Sequence, residues 1–150
     1  MQIETRRFGT VTLSDDELFS LPSGIPGFPS LRRMALLGAG AADADMFWLQ
    51  DVDDGDLAFM CIIPWDVFPE YDLEIDEHEL GIDDYHDVRV LNFVTVHRDA
   101  SEPKLTANLR APLVLDMRRR RMMQVILSDS RWSVSAPIEQ TAAPVTAGVQ

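Results

Sequence analysis

Two stretches in the second half of the chain leave little choice of secondary structure. Val88-Arg89-Val90-Leu91-Asn92-Phe93-Val94-Thr95-Val96 is β-branched and apolar on both faces of an extended chain, while Leu105, Ala107, Leu109, Ala111, Leu113, Leu115 and Met117 alternate at period two. A strand with two apolar faces has to be covered on both, so these segments predict a closed or nearly closed sheet. Pro112 cannot donate to a ladder and predicts a bend or bulge between 105–110 and 113–117. Residues 122–127 are expected to pair back across a turn containing Arg118-Arg119-Arg120-Arg121.

The other extended segments are shorter. Residues 3–8 and 10–13 flank Gly9 as hairpin arms would, 34–37 and 46–50 are brief apolar runs between turn formers, and 59–63 ends at Pro64. Helical signals are few: Ser14-x-x-Glu17 is a capping box for a turn or two, and an acidic start at Asp76 with a stop at Gly81 predicts a short helix over 76–80. A chain of 150 residues buries roughly 70% of its unfolded surface, and 46% hydrophobic content with three Trp and seven Phe supplies one core. The expectation is a mostly β, small single-domain β-barrel-like fold of short antiparallel strands with a few short helices, over residues 1–134. Residues 135–150 lose the aromatics, contain Ala142-Ala143-Pro144, and are expected to form a mobile C-terminal tail.

Charge is distributed unevenly. Between Asp43 and Asp87 stand sixteen carboxylates and no Lys or Arg, whereas the rest of the chain sets nine acids against thirteen bases, for a net charge of −12. Such a surface repels phosphate and attracts basic proteins, and it argues against direct nucleic-acid binding, which draws its affinity from Lys and Arg. On charge alone the segment also reads as an ordinary solvated acidic face. No apolar run approaches the roughly 18 residues of a membrane span. The start, Met1-Gln2-Ile3-Glu4-Thr5-Arg6-Arg7, has no apolar segment behind a basic one. A cytoplasmic protein without membrane contact is expected.

Local motifs for chemistry fail on inspection. Gly38-Ala39-Gly40-Ala41-Ala42-Asp43 imitates the opening of a dinucleotide fingerprint but lacks its third glycine and a following helix. Asp51-x-Asp53-x-Gly55-Asp56 resembles a calcium loop with glycine one place early and Ile62 at the twelfth position, which leaves an acidic β-turn or a looser cation site. His78-Glu79 has no second histidine at helical spacing, and His86 and His97 are isolated. Ser101-x-x-Lys104 contains Pro103, and Cys61 sits in an apolar run as a core residue would. No catalytic residue, metal ligand or cofactor is expected. The arginines at 118–121 read as a solvent-facing hairpin tip, balanced by the acidic segment, in preference to a phosphate contact.

Six motifs in order nonetheless point to one family. Ile25-Pro26-Gly27-Phe28 looks like its early turn. Phe47-Trp48-Leu49-Gln50 with Asp53 and Leu57-Ala58-Phe59 looks like its central hairpin, and Phe68-Pro69-Glu70-Tyr71 like its aromatic-acidic loop. Val90-Leu91-Asn92, then Thr106-Ala107-Asn108-Leu109 with Ala111-Pro112, then Gln124-Val125-Ile126-Leu127-Ser128-Asp129-Ser130 resemble its later strands. Over residues 8–130 the chain resembles the FliW flagellar assembly factors of bacteria. It departs from them at Trp132, where an aromatic such as Tyr is usual, at Pro64-Trp65-Asp66-Val67, and after Pro137.

The resemblance implies a small β-barrel-like protein with two alternative partners, flagellin and the RNA-binding translational repressor CsrA. Flagellin occupies it while plentiful; once flagellin is exported, the freed protein binds CsrA and relieves repression of flagellin translation. Asp51, Asp53 and Asp54 in the central turn, and Phe68, Glu70, Tyr71 and Asp72 in the aromatic loop, are the candidate partner-binding residues. Pro64 and Pro69 prevent the loop from continuing a central strand, so it is expected to lie exposed. Its aromatics among acids either anchor an interface or, in the case of Phe68 and Tyr71, plug the barrel end. The competing classes are a ligand-binding or enzymatic small barrel, for which no cofactor motif is present, and a general chaperone of a secreted protein.

Overall fold

The computed structural model describes residues 1–38, 46–73, 80–82, 85–98, 102–129 and 131–138. The chain opens with a hairpin, β1 (Gln2–Thr5) and β2 (Gly9–Thr12), followed by a 3-10 turn at Asp15–Glu17. The strands β3 (Leu18–Ser20), β4 (Arg33–Gly38), β5 (Met46–Asp51) and β6 (Ala58–Ile62) come next, then a single helical turn, α1 (Pro64–Val67). After a 3-10 turn at Tyr85–Asp87 follow β7 (Val88–His97), β8 (Lys104–Ala107), β9 (Leu113–Asp116), β10 (Arg121–Gln124) and β11 (Ala136–Ile138).

Seven of these strands close a ring in the order β7, β6, β5, β4, β3, β10, β9 and back to β7. All contacts around it are antiparallel except β10–β3, a single parallel pair of Arg121 with Ser20. The closed, mostly β architecture is the expected one. β7 makes it possible: its first half, Val88 to Leu91, pairs with β9, and its second half, Val94 to His97, pairs with β8 on the same edge. The break between β8 and β9 falls where Pro112 predicts it. There Asn108 Oδ1 accepts the N–H groups of both Arg110 and Ala111 at 3.1 Å, folding the chain from one partner position to the next.

Local chemistry accounts for the other corners. Pro26 and Gly27 form the centre of a tight turn closed by Phe28 N–H on Ile25 O at 2.8 Å; Gly27 has φ +88°, which L side chains rarely adopt. Ser14 and Glu17 make the predicted capping box, and β6 ends as Pro64 takes the first helical position, where a missing N–H costs nothing. In the first hairpin the turn is Arg6 to Phe8, and Gly9 opens the return strand instead of forming the turn centre. The Thr5 hydroxyl donates to Gly9 O and accepts Phe8 N–H, both at 2.8 Å, which fixes that register.

Two main clusters make the core. The barrel interior holds Phe19, Leu49, Cys61, Leu91, Leu113, Leu115 and Met122, with Phe59 and Phe93 packed against them. The second lies outside the ring, where Ile62, Tyr71, Val94, Ala107, Leu109, Leu127 and Ala136 meet beneath the loop after β6 and the β8–β11 extension. Each fully buried aliphatic side chain contributes about 1.5–3 kcal/mol. Cys61 is a core residue as expected, and burial pushes its thiol well above the ordinary range.

One boundary moves. Ala136, Pro137 and Ile138 pair with Ala107, Thr106 and Leu105, so the sheet continues past residue 134. Residues 139–150, the helix predicted over 76–80 apart from Leu80, and residues 39–45, which include all of the Gly38–Asp43 motif but Gly38, lie outside the described residues.

Candidate partner-binding surface

The central turn joins β5 to β6 and is held from within. Gln50, fully buried, places Nε2 3.0–3.4 Å from the carbonyl oxygens of Asp51, Asp54, Gly55 and Leu57. Gly55 lies against the first hairpin so closely that a Cβ there would sit 1.9 Å from Glu4 O, and Arg6 N–H donates to Gly55 O at 2.9 Å. Asp51 is only 6% exposed, and its Oδ1 accepts Asp53 N–H at 3.0 Å. Burial holds its carboxyl above the usual range. Asp51 is therefore a turn-forming residue, not the exposed contact expected, because the alternation of β5 points it inward. Asp53 and Asp54 are exposed with Asp56. Asp53 binds Arg33 Nη2 at 2.6 Å, and Asp54 Oδ1 accepts Asp56 N–H at 3.0 Å. Among the described residues no three His, Cys, Asp or Glu side chains converge on a metal-sized site.

The aromatic loop corrects a second expectation. Tyr71 is 3% exposed, and its hydroxyl donates to Leu109 O at 2.6 Å. Burial raises its phenol, a shift that a hydrogen bond with Asn92 opposes. Two indoles lock the loop in place: Trp65 Nε1 donates to Tyr71 O at 2.7 Å and Trp132 Nε1 to Asp72 O at 2.9 Å. The Tyr71 and Trp132 rings meet edge to face at 4.8 Å. Phe68 is half-buried against the second core, so both rings pack into that core instead of standing exposed on the loop. What the loop leaves to solvent is Trp65, Asp66, Pro69, Glu70 and Asp72. Trp65 is the exposed aromatic that reasoning from the sequence passed over, although its place between Pro64 and Asp66 marks the start of the loop.

The arginine cluster is less solvent-facing than expected. Asp116 Oδ1 accepts the N–H groups of Arg118 and Arg119, and its Oδ2 lies 3.3 Å from Arg119 Nη1 and 3.4 Å from Arg121 Nη2. Burial pushes the Asp116 carboxyl up, but the hydrogen bonds from Arg119 and Arg121 outweigh it and hold the group below the usual range. The Arg120 guanidinium stacks 3.8 Å over Phe19. Arg119 Nη1 also donates to Gly81 O at 2.9 Å. Three of the four guanidinium groups, those of Arg119, Arg120 and Arg121, are thus engaged within the molecule, and Arg118 is exposed.

The class the fold defines is a closed, mostly β barrel that engages three of its four clustered arginines internally and turns carboxylates and a tryptophan outward. Comparison with known proteins identifies which kind. The family profile described as "FliW protein" matches residues 2–138. The flagellar assembly factor FliW of Alkaliphilus metalliredigens is 35% identical over 130 residues, covering 85% of this chain and 79% of its own. The Treponema denticola protein of the same name is 33% identical over 141 residues, covering 92% and 93%. A crystal structure of the flagellar assembly factor FliW superposes with a TM-score of 0.79 at 27% identity, covering 91% of this chain and 96% of that one. The chain belongs to the FliW family.

Proposed function

We propose that this protein is a cytoplasmic flagellar assembly factor that alternates between flagellin and a CsrA-type translational repressor, and that it relieves repression of flagellin synthesis when it binds the repressor. The observation that carries this reading is family membership over residues 2–138, joined to exposed carboxylates at both ends of β6: Asp53, Asp54 and Asp56 before it, and Asp66, Glu70 and Asp72 after it. An RNA-binding repressor presents basic surface, and a carboxylate field complements it. Docked beside an RNA-binding face, these acids would oppose incoming phosphates over about one Debye length, ~8 Å at physiological salt. Antagonism then has an electrostatic component as well as a steric one. Among the described residues no helix is long and apolar enough to cross a membrane.

A mobility-shift assay tests the proposal. Adding the protein to a complex of repressor and flagellin leader RNA should release the RNA, adding flagellin should restore the complex, and the protein alone should leave the RNA unshifted at physiological salt. Retention of leader RNA by the protein alone would overturn the reading.

A further inference from the structure

The barrel ring is open along part of one seam. β6 and β7 pair only at Cys61 with Phe93 and Ile62 with Asn92; carried on, that register would set Met60 against Val94 and Ala58 against Val96, and neither pair forms. In an antiparallel ladder successive residues turn their N–H and C=O groups to opposite edges. Leu57 O accepts Asp51 N–H on the β5 side, so Phe59 and Cys61 also face β5, and Ala58, Met60 and Ile62 face the other way. Phe93 O accepts Asn108 N–H on the β8 side, so Thr95 faces β8 as well, and Asn92, Val94 and Val96 face β6. The two patterns meet at Ile62 and Asn92, which face each other and pair. Beyond them the main-chain groups of Ala58, Met60, Val94 and Val96 point into a gap, and no other strand of the described residues pairs with that edge of either. A cavity of about 530 Å³ fills the gap, and all four residues line it.

We propose that this cleft is a strand-accepting site, which takes an extended, uncharged segment of a partner protein between β6 and β7. The inward main-chain groups argue for a strand: an extended peptide answers them with its own N–H and C=O groups, whereas a helix has already spent its own internally. The unmade pairs span 58–60 on one strand and 94–96 on the other, so a short segment is enough. Its side chains are selected by the walls. The lining includes no Asp, Glu, Lys, Arg or His in a chain of net charge −12, and a charged side chain would lose water there without gaining a counter-charge. On the barrel side Phe59 stands between Phe28 at 5.0 Å and Phe93 at 5.1 Å, three lining rings that favour an apolar side chain. Phe28, Ile126 and Val134, at 39%, 63% and 62% exposure, also border the cleft, and they are three of the five exposed large apolar side chains among the described residues. Apolar surface gathered in this way marks an interaction site. The carboxylates at the two ends of β6 do not line the cleft, so the site stands whether or not a CsrA-type repressor is a partner.

Residue-resolved hydrogen exchange on the full-length protein tests this with a capped peptide, acetyl-Thr-Val-Thr-Val-Thr-amide, as the probe. Titrated until the amide chemical shifts saturate, the peptide should slow exchange at Ala58, Met60, Val94 and Val96 about tenfold or more. Phe59 and Thr95, whose N–H groups already face β5 and β8, should stay unchanged. Methylating every backbone nitrogen of the peptide, or replacing both its valines with lysine, should weaken binding about tenfold or more. The double variant Ile126→Asp, Val134→Asp should weaken it too while keeping the parent's melting temperature. Absence of any shift at the seam amides would overturn the proposal, as would equal affinity for the N-methylated peptide, or slowing as large at Phe59 and Thr95 as at their neighbours. Protection of the four amides that rises with protein concentration alone would assign the cleft to a second copy of the chain and overturn it as well.

Discussion

The turns joining β5 to β6 and β9 to β10 are built alike and carry opposite charge. Each begins with a buried aspartate at the end of the incoming strand, Asp51 or Asp116, whose Oδ1 accepts the N–H group two residues on. Around Asp116 the following residues are arginines, and two of them bring their guanidinium groups to its other oxygen. Around Asp51 they are Asp53, Asp54 and Asp56, and the nearby base, Arg33, pairs with Asp53. One carboxyl is consequently held below its ordinary range and the other above it. The contrast teaches that how much of a turn's charge is left to the surface depends on which groups are paired within the molecule. In the basic turn Asp116 takes up two of the four guanidinium groups, and in the acidic turn Asp54 and Asp56 face outward.

Substitutions at the two aspartates should therefore differ in sign, and a plugged aromatic sets the scale. Tyr71→Ala should cost about 3–4 kcal/mol of folding stability in urea titration, because it empties a buried site and strands Leu109 O. Asp116→Ala comes next at about 2–3 kcal/mol, since it leaves two arginines and two turn N–H groups without their acceptor. Its folded-state pKa is lowered, so the stabilisation is present above the unfolded carboxylate value of about 3.9 and is lost as pH falls through the folded value. The parent and Asp116→Asn should converge in strong acid.

Asp51→Asn should run the other way, gaining on the order of 1 kcal/mol at neutral pH by keeping the acceptor while removing a desolvated charge. Here the folded pKa is raised, so the parent recovers its deficit as pH falls through that value. A clear loss of stability in Asp51→Asn at neutral pH would break the comparison. The smallest effect belongs to the Arg33–Asp53 pair: Arg33→Ala should change stability by about 0.5 kcal/mol or less, because both partners are exposed.

Much of this architecture was legible in the chain. β7 and β9 announce themselves because a two-faced apolar strand and a period-two strand leave few alternatives, and Pro112 marks the change of partner between them. The incomplete seam was not legible, since the point at which β6 leaves β7 is a matter of tertiary register. The candidate site divided in the same way. Asp51 and Asp53 are the same residue type two positions apart, and only the end of β5 decides that one is buried. Tyr71 among acids reads equally as anchor or plug. What decides the matter is Trp132, sixty residues from Asp72 in sequence, whose indole holds the Asp72 carbonyl beside Tyr71.

Association kinetics with a CsrA-type repressor test the central claim most directly. If the outward acids steer a basic partner, the parent's on-rate should fall steeply between low and physiological salt, within the roughly 10–10³-fold range that steering supplies. Asp54→Lys with Asp56→Lys should lower the low-salt on-rate towards the high-salt value while moving the off-rate little and the stability by about 0.5 kcal/mol or less. An on-rate that is flat across the salt series and unaffected by this charge reversal would contradict the account.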